Sequence, residues 1–196
     1  MSSQQIEARD IIVVAADLFK KHGFYKEDLP AISRAVAINI SDVQMIFENK
    51  VALAIAVMAY VQDIFDSSIL VPAYDETITI QARIIKLNHN MEEYFINSSG
   101  GCVFVNLCLE GIGRNEAFKE PIQRYFNSLN KAYLNILIGI YKPAEAQLVA
   151  DEFVADLQGA LIMLRVTGEI WPIRRLSERF LKRCKLEPRE LGPKSG

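Results

Sequence analysis

Between Asn39 and Lys50 the chain gathers side chains suited to hydrogen bonding in a solvated groove: Asn39, Ser41, Asp42, Gln44 and Lys50, with the thioether of Met45 among them. The amide of Gln44 can pair a donor and an acceptor with adenine, and the carboxylate of Asp42 can accept from the amine of cytosine. Asn39 and Ser41 suit either a phosphate or a base edge. Lys50, at the start of a helix, suits a phosphate. The same residues also make an ordinary solvated helix face, with Ile40, Met45 and Ile46 resting on a neighbour.

The sequence offers little for catalysis. It has no Gly-rich phosphate loop, no paired His/Glu metal motif and no nucleophile elbow. Cys102, Cys108 and Cys184 lack close metal-ligand spacing, and His89 lies between Asn88 and Asn90. No enzyme activity, cofactor or metal is expected. Sparse, odd-numbered thiols suit a reducing compartment, so a cytoplasmic location is expected. No secretory signal opens the chain, and its apolar runs read as too interrupted to span a membrane.

The elements that must position the polar stretch read as helical throughout. Of the 196 residues, 51% are hydrophobic and 23% charged, which supports a sizeable core; the net charge of −2 gives no global basic field. Spacing of 3.6 residues dominates. The first helix reads from about Gln5 to His22 and is closed by Gly23. Asp28 caps a second helix that has Pro30 in its first turn and ends near Val36. Asn39 or Ser41 caps a third, which ends near Phe47. A long helix leaves from Lys50 and breaks at "VPAYDETIT". Further helices follow over "IQARIIKLNHNMEEYFIN" and over "CVFVNLCLEGIG", the latter reading as buried all round. The next runs from about Phe118 to Ile140 with a kink at Pro121. The last two run from about Ala144 to Gly168 and onward from Pro172. The fold class is all-α, with about nine helices.

Three short helices, the second and third joined by a four-residue turn, suggest a helix-turn-helix. "IIVVAADLFKKHGF" and "AISRAVAINISDVQMIFENKVAL" resemble the opening helices of the TetR family of bacterial transcriptional regulators. Phe19, Gly23, Ile32, Ala35, Val36, Ile38, Val43, Phe47, Lys50 and Leu53 fall in register. "GGCVFVNLCLE" is similar to a segment of some members. The resemblance implies a helix-turn-helix DNA-binding domain over residues 1–49 and a helical effector-binding and dimerisation domain over 50–196. It implies a homodimeric regulator, a repressor, that binds operator DNA and is released by a small hydrophobic effector.

Several positions depart from the family pattern. Asp28 replaces a Ser or Thr that touches phosphate, and Ala37 replaces the turn glycine. Ile40 and Ile46 stand where polar or aromatic residues are usual, Asp42 replaces a small neutral residue and Gln44 a phosphate-bonding Tyr. Residues 1–50 carry six Lys or Arg against seven Asp or Glu. The alternative is therefore a scaffold of this kind that has lost DNA binding and binds another protein, one whose basic surface meets Asp28 and Asp42. A third reading is a small-molecule carrier.

In the body, Met91, Tyr94, Phe95, Phe104, Asn106, Leu107, Tyr125, Leu129 and Met163 are candidates for an effector pocket, against the plainer reading of core residues. Asn106 interrupts an apolar run and needs a partner if buried, either protein or ligand. For the dimer seam the small residues Ala155, Gly159 and Ala160 permit close helix approach, and Leu161, Leu164, Ile173 and Phe180 add apolar area. The resemblance implies a two-fold four-helix interface from these segments.

Overall fold

A computed structural model describes residues 7–97, 101–111 and 115–186. Nine α-helices occur among them: α1 Ala8–His22, α2 Leu29–Val36, α3 Ile40–Ile46, α4 Lys50–Ile64, α5 Ile80–Ile96, α6 Val103–Gly111, α7 Lys119–Leu137, α8 Pro143–Thr167 and α9 Trp171–Arg183. No strand occurs among the described residues.

Local chemistry sets most of the boundaries. Glu7 and Asp10 form a capping box at the start of α1, and Gly23, at φ 87°, closes it by donating to the Phe19 carbonyl. The Asp28 carboxylate caps α2 by accepting from the Ala31 amide at 2.7 Å, with Pro30 in the first turn. Asn49 caps α4 and Thr79 caps α5 through the amides of Ala52 and Ala82. Gly168 ends α8 in the left-handed region at φ 71°, and Pro172 sits in the first turn of α9.

Two local expectations need revision. Pro121 lies in the first turn of α7, just after a 3-10 turn at Glu116–Phe118, so it starts that helix instead of kinking it. Helix α6 is not buried all round, because Leu109 is 76% exposed.

In the head, Ile11, Ala15 and Phe19 of α1 pack with Ile32 of α2 and Val43 of α3, all fully buried. Helix α1 also lies along α4, which in turn packs on α7. Helix α4 continues as a π turn over Phe65–Ile69 and then as a 3-10 turn over Val71–Tyr74. The stretch Lys50–Ile69 is long and apolar enough to cross a bilayer, contrary to the sequence expectation. It instead runs through the protein core, with Leu53, Ala54, Val57, Met58, Val61 and Phe65 buried against neighbouring helices. Each such large apolar side chain contributes about 1.5–3 kcal/mol by leaving water.

In the body, α7 packs on α8, α8 on α9, and α9 back on α5. Tyr133, Phe153 and Phe180 join these helices, with ring centroids 4.1 to 5.5 Å apart. The Ala73 carbonyl accepts from the buried Arg83 guanidinium and from Asn135 at 3.0 Å, which ties the turn after α4 to α5 and α7. Exposed pairs Arg174–Glu92, Arg179–Asp156 and Arg183–Glu152 fasten α9 to α5 and α8. Each of these contributes about 0–1 kcal/mol.

Candidate nucleic-acid interface

The turn between α2 and α3 holds Ala37 at φ 61°, ψ 41°, the left-handed conformation a glycine would adopt freely. Its amide donates back to the Arg34 carbonyl, and the Ile38 amide to the Ser33 carbonyl, so the turn closes tightly. The alanine therefore keeps the geometry at a steric cost of about 1–2 kcal/mol. Ile32 and Val43 carry the packing of α2 and α3 against α1.

Helix α3 is anchored by Val43, fully buried, and by Phe47, 8% exposed. The opposite side faces water. Asn39, Ser41 and Gln44 are exposed and Asp42 is half-buried. Met45 is 78% exposed, and Ile40 and Ile46 are also largely open to solvent. Asn39 occupies the N-cap position, yet its side chain makes no capping bond. The outward face is thus mixed: two amides, one hydroxyl, one carboxylate and three apolar side chains. It carries no cation.

Lys50 does not supply that cation. Its ammonium donates to the Phe24 and Glu27 carbonyls, each at 3.0 Å, and lies 4.2 Å from the centre of the Phe24 ring. Burial lowers its pKa below the ordinary lysine value, partly offset by Asp28, Glu110 and Glu27. The expected phosphate ligand is turned inward to hold the corner between α1 and α2. The physical reason is that three carbonyl and ring acceptors of this chain surround it. Lys20 is likewise largely covered, lies over the Tyr94 ring, and has its pKa lowered by burial. Lys21 pairs with Asp17 at 2.7 Å. Arg9, Lys26 and Arg34 are exposed cations of the head, and Arg34 sits in the last turn of α2 just before the turn to α3. Sequence reasoning passed over Arg34; its place one turn before Ala37 was the available signal.

The proposed pocket residues behave as core. Met91, Phe95, Phe104, Leu107, Tyr125 and Leu129 are all at most 2% exposed, and Tyr94 is half-buried. Phe104 and Tyr125 stack face to face with centroids 4.0 Å apart. Met163 does not join them: it is 43% exposed on the outside of α8. Asn106 finds protein partners instead of an open cavity. It donates to the Phe19 and Lys20 carbonyls and accepts from Arg165. Three surface clefts, of about 220, 410 and 290 Å³, are lined by other residues of α7, α8 and α9. Cys102 donates weakly to the Tyr125 hydroxyl, and burial pushes its thiol pKa up, which favours the protonated form.

The expected seam residues divide between two faces. Leu161, Ile173 and Phe180 are nearly inaccessible within one chain, Ala160 is 9% exposed and Leu164 is half-buried. Ala155 and Gly159 do face outward. With them stand Leu148, Ile162, Met163 and Val166, the last 76% exposed, and Trp171 at the start of α9.

Comparison with known proteins agrees with this architecture. Residues 78–179 match the family model described as "Transcriptional regulator LmrA/YxaF-like, C-terminal domain". No curated protein sequence matches the chain. Among solved structures, a TetR transcriptional regulator from Legionella pneumophila superposes with a TM-score of 0.82 at 16% identity, covering 93% of this chain and 98% of that one. A regulatory protein TetR from Rhodobacter sphaeroides gives 0.78 at 15% identity, covering 89% and 96%. The reduced form of NemR from E. coli gives 0.74 at 12% identity, covering 89% and 95%. At these identities the superpositions speak for the fold; together with the matched C-terminal model, which spans more than half the chain, they establish that this protein belongs to the TetR family of transcriptional regulators.

Proposed function

We propose that the protein is a dimeric repressor that reads operator DNA through α3 and is released by a small hydrophobic ligand. The observation that carries this reading is the outward row on α3: Asn39, Ser41, Gln44 and Met45 face solvent while Val43 and Phe47 anchor the helix from behind. Gln44 and Asn39 would read base edges, and Met45 would meet a thymine methyl. Phosphate neutralisation would come from Arg34 and Lys26, since Lys50 is engaged elsewhere. Residues 1–49 would then serve as the reading head and 50–196 as the effector and dimer body.

Dimerisation would use the outer stripe of α8. Ala155, Gly159, Ile162 and Val166 recur at alternating spacings of four and three, which gives one seam with small residues at one end and large apolar ones at the other. A two-fold axis there would repeat the head in symmetric register. The effector would enter the apolar region around Phe104 and Tyr125, which requires those stacked rings to part.

One observation favours a second reading, binding to another protein. The α3 face exposes Ile40, Met45 and Ile46 beside Asp42 and bears no cation, which suits a protein surface as well as a groove. Selection of genomic fragments by the purified protein at moderate salt separates the two. Operator reading predicts an enriched palindromic sequence in the parent, lost in Gln44→Ala and weakened evenly across sequences in Arg34→Ala. Enrichment indifferent to both substitutions, or none at all, would instead support the protein-binding reading.

A further inference from the structure

The corner between α1 and α2 is gripped from the body side by three polar side chains. Asn106 of α6 is 7% exposed, and its amide donates to the Phe19 carbonyl at 3.3 Å and the Lys20 carbonyl at 3.0 Å. Both carbonyls belong to the last turn of α1, where backbone donors run short; the Phe19 carbonyl also accepts from the Gly23 amide at 3.1 Å. Arg165, near the end of α8, donates to the Asn106 side-chain oxygen at 2.6 Å and reaches the Lys21 carbonyl at 3.5 Å. A guanidinium there also opposes the negative end of the α1 dipole. Glu110 stands one turn beyond Asn106, and its carboxylate accepts from the Tyr25 amide at 3.1 Å. It rests against Gly23, where a Cβ would run into it.

We propose that Asn106, Glu110 and Arg165 are positioning residues that together lock the head at a fixed angle to the body by binding the backbone of residues 19–25. The grip acts on main-chain groups, so it controls the attitude of α1 and of everything packed on it, including α3. Lys50 holds the Phe24 and Glu27 carbonyls from α4, so the same corner is pinned from two sides. Arg165 adds a direct link from α8, the helix assigned above to the dimer seam, to the head. In a dimer the three residues would thereby set the separation of the two α3 helices. Only that last consequence rests on the DNA-reading proposal; the lock itself is a property of one chain.

The test is an intrachain distance measurement on the full-length protein. Spin labels go on Ser41→Cys in the head and Gln123→Cys in the body, both exposed, in a Cys108→Ala background; Cys102 and Cys184 are buried. Labelled chains are diluted with unlabelled ones, so that only pairs within one chain report. The parent and Glu110→Gln, whose amide oxygen still accepts from Tyr25, give one narrow distance distribution. Arg165→Ala and Glu110→Ala broaden it while the thermal midpoint stays within a few degrees, and in Glu110→Ala the Tyr25 amide exchanges roughly tenfold faster or more. Asn106→Leu gives the largest broadening if it folds, but the two surface-accessible variants carry the test without it. An unchanged distribution in both Arg165→Ala and Glu110→Ala overturns the proposal. Because no DNA is present, failure of operator reading in the parent is scored separately.

Discussion

At Ala37 a residue with a Cβ holds the backbone where glycine is comfortable, and the fold tolerates it because two amides and the packing of Ile32 and Val43 fix the turn. Replacing it relieves the strain, less the entropy that glycine loses on folding. Ala37→Gly is expected to raise stability by about 0.5–1 kcal/mol, read as a higher midpoint in urea; a lower midpoint would mean the turn is not strained as described. Lys50 makes the opposite point. A lysine opening a helix next to a DNA-reading turn looks, in sequence, like a phosphate ligand. Whether its ammonium meets a phosphate or its own chain depends on how the α1–α2 corner folds back, and no local pattern encodes that. Lys50→Ala leaves the Phe24 and Glu27 carbonyls without this donor and should lower stability by about 1–3 kcal/mol. It should leave the salt dependence of DNA binding unchanged. A phosphate contact would instead reduce the slope of log K against log salt by about 0.9.

Helix ends were legible where a residue acts on its own neighbours. Asp28, Gly168 and Pro172 each do in the structure what their type dictates within one turn. Gly168→Ala forces a Cβ into the left-handed region and should cost about 1 kcal/mol or more, measured by thermal melting. Pro121 was misread because a proline at this register serves equally to start a helix or to bend one. The 3-10 turn before it, which decides the matter, has no strong signature of its own. Helix faces were harder still. Over the 25 residues of α8 apolar side chains occur on several sides, because α7 and α9 pack on it from different directions. Periodicity alone could not say that Leu161 serves the chain's own core while Ile162 and Val166 face out. If the outer stripe is the seam, Val166→Glu places like charges together across a two-fold axis and shifts a dimer to monomer in sedimentation at micromolar concentration. A dimer that persists unchanged would move the seam elsewhere.

For the whole molecule, the sequence made the all-helical class and the family plain, because a 3.6-residue period and a register of anchor residues survive a good deal of surface change. The candidate site was legible as a location and less so as chemistry. Asn39, Ser41, Gln44 and Met45 do face outward, but Lys20, Lys21 and Lys50 are committed to a ring, an ion pair and carbonyls that only the assembled head displays, which leaves Arg9, Lys26 and Arg34 as the exposed cations. The expected effector pocket rested only on apolar composition, and the residues named for it, Met163 aside, close into a packed core. Asn106, expected if buried to need either a protein or a ligand partner, finds protein ones and joins α6 to α1 and α8. The central claim remains that the exposed face of α3 enters the major groove of a duplex. The most direct measurement places a photo-crosslinking amino acid at Gln44 and irradiates the protein with its enriched fragment. On that claim, adducts to bases fall in two clusters one helical turn, roughly 10 base pairs, apart or a multiple of that spacing. Adducts confined to protein, or scattered along the DNA without preferred positions, would contradict it.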